Sequence, residues 1–227
     1  MKFLPLTPNG ETPVRALTIA GTDSGGGAGI QADSRTMALL GVHACVAVAA
    51  VTVQNTVGVT GFHEIPPDVV AAQVRSVVSD IGVGAAKTGM LASTAIIEAV
   101  TAVCTEVGIG RDQPVPLVVD PVCASMHGDP LLHAEALDAI RHTLFPIASL
   151  VTPNLDEVRL ITGIDVVDDS SAHRAAEALH GLGAQWALVK GGHLRTSTHS
   201  TDLLFDGDTF LEFTSERIDT GNDHGGG

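Results

Sequence analysis

Short apolar runs alternate with longer segments of helical period along most of this chain. The runs are continuous and rich in valine, which is typical of strands buried on both faces of a parallel sheet. The pattern therefore predicts an α/β fold with a mostly parallel central sheet and helices on both faces. The predicted strands are Leu17–Ala20, Ala44–Val53, Ala85–Lys87, Leu117–Asp120, Leu150–Thr152 and Ala187–Lys190.

The segments between these runs predict helices, and the last part of the chain departs from the pattern. Residues 202–213 form two short apolar stretches around Asp206-Gly207-Asp208, which predicts an antiparallel hairpin at the edge of the sheet. The predicted helices begin at Pro67 and end near Ile81, follow the N-cap Ser93, and cover Leu155–Ile161 and Ala172–Leu182.

The size and charge of the chain narrow the class of protein. Its 227 residues, 44% of them hydrophobic, suffice for one α/β domain, which we assign to residues 15–227 after an N-terminal extension, 1–14. Twelve basic and 26 acidic residues give a formal charge of −14, which argues against a surface for nucleic acid or anionic lipid. The longest apolar run, Ala44–Val51, is too short to span a membrane, and the N-terminus has no apolar signal segment. We expect a cytoplasmic protein.

Cysteines and histidines show no spacing that indicates a metal or hydrolase site. Cys45, Cys104 and Cys123 lack C-x-x-C spacing and are expected in the core. The ten histidines contain no H-E-x-x-H pattern, and Thr22 stands before Ser24 where a nucleophile elbow needs glycine. Hydrolase chemistry therefore has no support.

The most informative segment lies between the first predicted strand and a helix. Residues 20–33, AGTDSGGGAGIQAD, contain four glycines within the five positions 25–29. Such a loop exposes its backbone N–H groups, and the positive end of the following helix, to an anion or a polar ring. A flexible surface turn is the alternative, although turns between a strand and a helix are usually short and seldom need four glycines.

Two nucleotide-binding motifs nearly fit this loop. A Walker A loop ends in Gly-Lys-Ser/Thr, but no lysine lies between Lys2 and Lys87. The pattern G-x-G-x-x-A is present, yet a dinucleotide site also needs an acid about 20 residues further on, and none lies between Asp33 and Glu64. The second strand is followed instead by Gln54, whose amide offers a donor and an acceptor to a flat heterocycle. NAD binding is therefore a minor alternative.

Polar residues follow several of the predicted strands. Asp120, Asn154 and Lys190 lie at strand ends, where open α/β sheets bind their ligands. Asn154 and Glu157 could hold magnesium through water, or they could be the N-cap and the capping-box partner of a helix. Asp120 is a second acid that could share the ion with a nucleotide phosphate. Lys190 could contact that phosphate or be a solvated strand end.

Six segments, spread over nearly the whole chain, carry a family resemblance. They are residues 20–33, Val53-Gln54-Asn55-Thr56, Lys87-Thr88-Gly89-Met90-Leu91, Asp120-Pro121-Val122, Thr152-Pro153-Asn154-Leu155-Asp156-Glu157 and Lys190-Gly191-Gly192-His193. Together they closely resemble the hydroxymethylpyrimidine/phosphomethylpyrimidine kinases of thiamine synthesis. The resemblance implies the three-layer αβα ribokinase-like fold. It also implies phosphorylation of 4-amino-5-hydroxymethyl-2-methylpyrimidine, and then of its monophosphate, with ATP and Mg²⁺.

The resemblance further implies the residues that bind the pyrimidine. Asp23 and Gln54 would hydrogen-bond the aminopyrimidine. Met90 and Val122 would pack against the ring. Because related kinases often form dimers through sheet edges or added strands, the resemblance also suggests a homodimer.

The nucleotide side follows from the same resemblance. Asn154 and Lys190 would bind the ATP phosphates, and Asp120 and Glu157 would hold Mg²⁺. Transfer of the γ-phosphoryl group depends on positioning and charge neutralisation. It needs a base that takes the proton of the substrate hydroxyl and backbone N–H donors that stabilise the charge of the transferred group.

The C-terminal segment departs from the family pattern. Its last residues, DTGNDHGGG, again have closely spaced glycines, and the resemblance implies an anion hole at the backbone of Gly225 and Gly227. Relatives read His-Gly-Thr-Gly followed by cysteine or aspartate and a helix, whereas Gly226 replaces the threonine here and the chain stops before the expected base. A tag remnant is the ordinary explanation of such a terminus. We expect instead that the native protein continues into C-terminal helices, which an intact mass equal to 23.3 kDa would contradict.

Two other functions stay open at this point. A pyridoxal or pyridoxine kinase of the same fold would also bind a flat ring with a hydroxymethyl arm. A non-catalytic pyrimidine-binding protein would account for the missing base and for the glycine at position 226. Competition between pyrimidine and pyridoxal, together with ATP turnover, distinguishes these alternatives.

Overall fold

The computed structural model describes residues 12–123, 134–191 and 199–216. Its strands are β1 (Arg15–Gly21), β2 (His43–Gln54), β3 (Val59–Glu64), β4 (Ala85–Thr88), β5 (Leu117–Val119), β6 (Leu150–Val151), β7 (Trp186–Val189), β8 (His199–Phe205) and β9 (Phe210–Glu216). They form one sheet in the spatial order β3-β2-β1-β4-β5-β6-β7-β8-β9. The six central strands pair in parallel, while β3 on one side and β8 and β9 on the other pair antiparallel. The predicted parallel sheet and late hairpin are confirmed.

The helices of the described residues are α1 (Gly29–Leu39), α2 (Pro67–Asp80), α3 (Thr94–Glu106), α4 (Ala134–Ala139), α5 (Leu155–Thr162) and α6 (Asp169–Gly181). A π turn, Ile140–Leu144, and a 3₁₀ turn, Phe145–Ile147, continue α4. Helix α6 begins three residues before its predicted start because Asp168 caps it by accepting the N–H of Ser171 at 2.8 Å. No helix in the described part of the chain is long and apolar enough to cross a membrane.

The helices cover the two faces of the sheet unequally. The chain moves in one direction along the sheet from β1 to β2 and in the opposite direction from β4 to β7. Because crossovers between parallel strands are right-handed, α1 lies on one face, and α3 to α6 lie on the other. Arg75 of α2 pairs with Glu106 of α3 at 2.7 Å, which places α2 beside α3. Helices are confirmed on both faces, but among the described residues α1 alone covers the first.

Side-chain burial follows this division. Leu117 and Val119 of β5 point to the face of α3 and are completely buried. Lys87, Val118 and Leu150 are paired side by side on the face of α1, and each is only half-buried. The main hydrophobic core of the described residues therefore lies between the sheet and the layer of α2 to α6.

Helix α1 is attached to the sheet by a polar cluster. It has no buried residue along its length, within the described range that contains it. Asp33 accepts hydrogen bonds from the Thr18 hydroxyl of β1 at 2.6 Å and from the Lys87 ammonium of β4 at 2.9 Å. A partly buried ion pair thus helps to position the helix that follows the glycine-rich loop.

Two elements were not predicted from the sequence. Strand β3, VTGFHE, is largely exposed and contains a glycine, so it lacks the apolar run that marked the other strands. Helix α4 is only six residues long and has no extended helical period. Ser93 does precede α3, but its hydroxyl donates to Glu64 of β3 at 2.7 Å instead of capping the helix.

We expect the Gly29→Ala substitution to lower the free energy of unfolding by about 3 kcal/mol, because two separate effects combine. Gly29 has a φ of 58°, and a Cβ there would lie 2.6 Å from the carbonyl oxygen of Gly21. The matched control is Gly82→Ala, where φ is 67° but no atom lies within 4 Å of the added Cβ. Urea denaturation should give the control a loss of only about 1 kcal/mol. Equal losses in the two variants would contradict the close approach at Gly29.

Candidate active site

A buried aspartate organises the glycine-rich loop after β1. Asp23 is only 1% exposed. Its Oδ1 accepts the N–H of Gly25 at 2.8 Å, and its Oδ2 accepts those of Gly27 at 2.9 Å and Ala28 at 2.8 Å. Ala28 is the N-cap residue of α1 and has no side-chain cap of its own. The Asp23 carboxylate therefore serves as a remote cap, a position that the positive end of the helix favours.

This arrangement corrects one expectation about the loop. The N–H groups of residues 25–28 were expected to face a ligand, but all four bind Asp23, since Gly26 donates to its carbonyl oxygen at 2.9 Å. A carboxylate two residues before the glycines competes successfully for these donors. The loop is thus a preorganised wall. Contact between Asp23 and the pyrimidine stays a prediction, and the interactions seen assign this side chain to loop structure.

Gln54 ends β2 directly beside this wall. The Ser24 hydroxyl accepts the backbone N–H of Gln54 at 2.8 Å and donates to its carbonyl oxygen at 2.7 Å. The side chain of Gln54 is half-buried, and none of the residues that the structure describes hydrogen-bonds its amide. A donor and an acceptor are therefore available together at the rim of the loop.

Met90 and Val122 follow the next strands along the sheet. Gly21 donates its N–H to the carbonyl oxygen of Met90 at 3.0 Å, and Met90 Sδ would lie 3.6 Å from a Cβ on Gly21. Val122 follows β5, and both side chains are half-buried. The carboxyl ends of β2, β1, β4 and β5 are consecutive in the sheet, so these residues border the same stretch of its edge.

A charged cluster continues this edge beyond β5. Lys190 Nζ lies 3.3 Å from Asp120 Oδ1, and the Thr152 hydroxyl lies 3.4 Å from the same oxygen. The three residues end β5, β6 and β7, which are neighbours in the sheet. Asn154 joins the cluster through a backbone bridge to Lys190. The structure therefore brings together the strand-end carboxylate, amide and ammonium that the sequence pattern predicts. The part of Thr152 was missed, although its position at a strand end was a usable signal.

Glu157 lies beneath this cluster as a buried acid. Its Oε2 accepts the N–H of Asn154 at 2.9 Å, and Asn154 Oδ1 accepts the N–H of Glu157 at 2.9 Å, so the capping-box alternative is confirmed. Burial, followed by the negative charge of Asp120, raises the pKa of Glu157 to about 7. Hydrogen bonds from backbone N–H groups and the charge of Lys190 oppose the increase. The capping role does not test the predicted metal role, which stays a prediction.

The residues present fit a magnesium ion bound together with phosphates. No group of three or more acidic, histidine or cysteine side chains that could hold a metal ion by itself occurs in the described ranges. The cluster contributes the two carboxylates of Asp120 and Glu157. Mg²⁺ usually takes one or two carboxylates and completes its shell with water and substrate phosphates. The repulsion between Asp120 and Glu157 is the kind that a bound cation relieves. Gly225 and Gly227 lie outside the described residues.

The fold and this edge define a class of protein. A mostly parallel sheet with antiparallel edges, a glycine-rich loop after its first strand and a charged cluster at later strand ends is the arrangement of ribokinase-like small-molecule kinases.

Comparisons with known proteins agree with this class. The phosphomethylpyrimidine kinase family model matches residues 23–227. The chain is 64% identical over 231 residues to a hydroxymethylpyrimidine/phosphomethylpyrimidine kinase of Mycobacterium leprae, covering 100% of this chain and 81% of that protein. It is 48% identical to a thiamine biosynthesis bifunctional protein of Geobacter sulfurreducens, covering 93% of this chain and 42% of that protein.

Solved structures give the same result. The crystal structure of a phosphomethylpyrimidine kinase from Clostridium difficile has a TM-score of 0.80 and 36% identity, covering 90% of this chain and 85% of that chain. An ADP complex of Bacillus subtilis pyridoxal kinase has a TM-score of 0.82 and 33% identity, covering 95% and 79%. The chain belongs to the phosphomethylpyrimidine kinase family.

We expect Glu157→Gln to stabilise the ligand-free protein at pH 8 and to have little effect near pH 4. Glu157 of the folded wild type holds its proton up to about pH 7, whereas an ordinary glutamate carboxyl releases it near pH 4.5. Wild-type stability therefore falls as pH rises from 4.5 to 7, by roughly 3 kcal/mol in total. The glutamine variant lacks this dependence and can still accept the Asn154 N–H.

Urea denaturation across this pH range measures the effect, with Glu106→Gln as control. Arg75 lowers the pKa of the exposed Glu106, so that control should lose stability at high pH relative to the wild type. A pH profile of Glu157→Gln parallel to that of the wild type would contradict a raised pKa at Glu157.

We expect Asp23→Asn to loosen the glycine-rich loop without unfolding the sheet. An asparagine offers one acceptor oxygen where the carboxylate binds three N–H groups, so amide hydrogen exchange at Gly27 and Ala28 should accelerate at least about tenfold. Asp206→Asn is a matched control, since Asp206 accepts two turn N–H groups between β8 and β9 at 2.9 and 2.7 Å. The control should affect only that turn. Unchanged exchange at Gly27 and Ala28 in Asp23→Asn would count against the capping role.

Proposed function

We propose that the protein transfers the γ-phosphoryl group of ATP to the hydroxymethyl group of 4-amino-5-hydroxymethyl-2-methylpyrimidine, and then to the monophosphate, in thiamine biosynthesis. One observation carries the proposal. The amide of Gln54, which no described residue hydrogen-bonds, and the charged cluster of Asp120, Glu157 and Lys190 lie at carboxyl ends of the same run of parallel strands. A ring recognised at one end of this edge can present its hydroxyl towards a nucleotide held at the other. Membership of the family supports this assignment.

On the pyrimidine side, the proposal gives each residue a distinct task. The Gln54 amide donates to and accepts from the aminopyrimidine edge, because it offers both kinds of group side by side. Met90 and Val122 pack against the ring. Asp23 acts by holding the loop that forms the wall of the site.

On the nucleotide side, Lys190 and Asn154 bind the ATP phosphates, and Asp120 and Glu157 hold Mg²⁺. The metal, when bound, neutralises charge on the phosphates. Thr152 and Lys190 keep the Asp120 carboxylate in place through the contacts at 3.4 and 3.3 Å. Such fixed charges lower the barrier to phosphoryl transfer because they need no rearrangement during the reaction.

Several expectations from the sequence stay predictions. An anion hole at Gly225 and Gly227, a base supplied from beyond Gly227, and C-terminal helices complete the proposed mechanism. The chain spans about four-fifths of the length of the Mycobacterium leprae relative, 81%. Three further expectations also stay predictions: a cytoplasmic location, a homodimer and a domain boundary between residues 14 and 15.

The second candidate is a pyridoxal kinase. It is favoured by the structural likeness to the Bacillus subtilis pyridoxal kinase. The TM-score of that structure is 0.82, and that of the pyrimidine kinase structure is 0.80. The higher sequence identity to the pyrimidine kinases, 64% for the Mycobacterium leprae protein, favours the first candidate.

The test incubates the protein with Mg²⁺-ATP and hydroxymethylpyrimidine monophosphate and follows the diphosphate by mass spectrometry, with pyridoxal in a parallel reaction. We expect Asp120→Asn to lower turnover roughly 100-fold with little change in pyrimidine affinity, since it acts on the nucleotide side. Gln54→Leu should raise the KM for pyrimidine and leave the KM for ATP unchanged. The exposed Asp112→Asn is the control for both.

Each outcome has a clear meaning. Phosphate on pyridoxal and none on pyrimidine would replace the first candidate by the second. Tight pyrimidine binding without turnover, in a protein of native length, would support a non-catalytic binding protein and overturn both kinase candidates.

A further inference from the structure

Four short hydroxyl hydrogen bonds join the loop after β1 to the end of β2, beside a longer one of 3.3 Å from the Ser24 hydroxyl to the carbonyl oxygen of Thr52. Thr22 Oγ1 accepts the N–H of Thr52 at 2.9 Å, and the Thr52 hydroxyl donates to the carbonyl oxygen of Thr22 at 2.7 Å. Two residues further along both segments, the Ser24 hydroxyl alone makes two bonds to the backbone of Gln54: it accepts the N–H at 2.8 Å and donates to the carbonyl oxygen at 2.7 Å. We call these four bonds the hydroxyl ladder.

The hydroxyl ladder begins where backbone pairing ends. The parallel pairing of β1 with β2 is interrupted by an irregularity after Ala20 and finishes at Gly21 opposite Ala50. One more backbone bond follows, from the N–H of Thr22 to the carbonyl oxygen of Ala50 at 2.9 Å. Beyond that point β2 extends four residues further, to Gln54. Side-chain oxygens therefore continue the connection that backbone groups make within the sheet.

The end of β2 has little apolar packing to hold it. Val53 is 62% exposed, and Val57, in the turn to β3, is 77% exposed. Thr52, by contrast, is 4% exposed, so its hydroxyl bonds form in a site that excludes most water. Hydrogen bonds are stronger there than at the surface, and an unpaired partner is costly. The hydroxyl ladder thus supports Gln54 from the side of the loop, while backbone pairing with β3 supports the other side of the strand up to Gln54 opposite Val59.

We propose that Thr52 and Ser24 are positioning residues that set the preference of the site for an aminopyrimidine over a pyridine ring. The inference rests on the proposed function, in which the Gln54 amide reads the ring edge. A fixed amide binds tightly to a ring that offers both a matching donor and a matching acceptor. A ring that lacks one of them leaves the amide unpaired, which lowers its affinity. An amide on a loosened strand end can turn towards water. The matching ring then gains less affinity from the amide, and the other ring loses less. Loss of the hydroxyl ladder should therefore lower the ratio of pyrimidine affinity to pyridoxal affinity, with little loss of folding stability.

The test uses variants that remove hydroxyls with little change of shape. Ser24→Ala removes both bonds to Gln54, which are half of the hydroxyl ladder. Thr52→Val removes one bond, from the Thr52 hydroxyl to the carbonyl oxygen of Thr22, while Thr52→Ser keeps the hydroxyl. Thr60→Val is the matched control, because the Thr60 hydroxyl donates to the carbonyl oxygen of Val53 at 3.1 Å within the same hairpin and does not touch the loop. Calorimetry gives the Kd for hydroxymethylpyrimidine, for pyridoxal and for a non-hydrolysable ATP analogue, and urea denaturation gives the stability.

We expect Thr52→Val to raise the pyrimidine Kd about tenfold and the pyridoxal Kd by less, with the Kd of the ATP analogue unchanged. Ser24→Ala should shift the same ratio in the same direction, and Thr52→Ser and Thr60→Val should match the wild type. If Thr52→Val does not fold, the exposed Ser24→Ala decides the question.

Three results would overturn the inference. An unchanged ratio of the pyrimidine and pyridoxal affinities in both variants, in a wild type that binds pyrimidine, would refute this inference and leave the proposed function standing. Equal weakening of all three ligands, in step with lower stability, would assign the hydroxyl ladder to general structure. A wild type that binds no pyrimidine would overturn the proposed function and this inference together.

Discussion

The four N–H groups of residues 25–28 and the buried Asp23 form the interaction on which the rest of the site depends. Glycine loses more conformational entropy on folding than any other residue, so a loop with four glycines within five positions needs strong local contacts to adopt one shape. Charge-assisted hydrogen bonds from the backbone to one carboxylate supply them. The same carboxylate caps α1, so the loop and the helix are set by one side chain. The wall beside Gln54 and Met90 follows from that geometry.

The charged cluster of Asp120, Glu157 and Lys190 is governed by the burial of one acid and by its repulsion from another, in contrast to the single carboxylate of the loop. Burial and the negative charge of Asp120 disfavour the ionisation of Glu157, and only part of the cost is offset by Lys190 and by backbone N–H groups. Such an arrangement is less stable in the absence of ligand than an apolar one would be, a compromise that is common at functional sites. Glu157 also serves as the capping partner of Asn154, so one acid positions the helix and contributes its charge to the site.

The sequence predicted the parts of the structure that depend on local pattern. The central strands are continuous apolar runs, and the polar residues after them, Asp120, Asn154 and Lys190, meet at one edge because parallel strands end together. Strand β3 has no such run, since both of its faces are largely exposed, and it was missed. The order of the strands, and with it the unequal cover of the two faces, depends on long-range pairing that periodicity does not contain. The capping role of Asp23 was not predicted, because spacing alone does not tell whether a carboxylate binds its own backbone.

The unequal cover of the sheet has a spectroscopic consequence. Trp186 of β7 is paired with Leu150, in the half-buried row on the face of α1. It is the only tryptophan of the chain, which also contains no tyrosine. Intrinsic fluorescence excited at the indole band therefore observes this face and little else, and its emission maximum shifts to shorter wavelength whenever a further segment or another molecule covers the sheet there. Trp186 thus reports on the face of the sheet that, within the described residues, α1 alone covers.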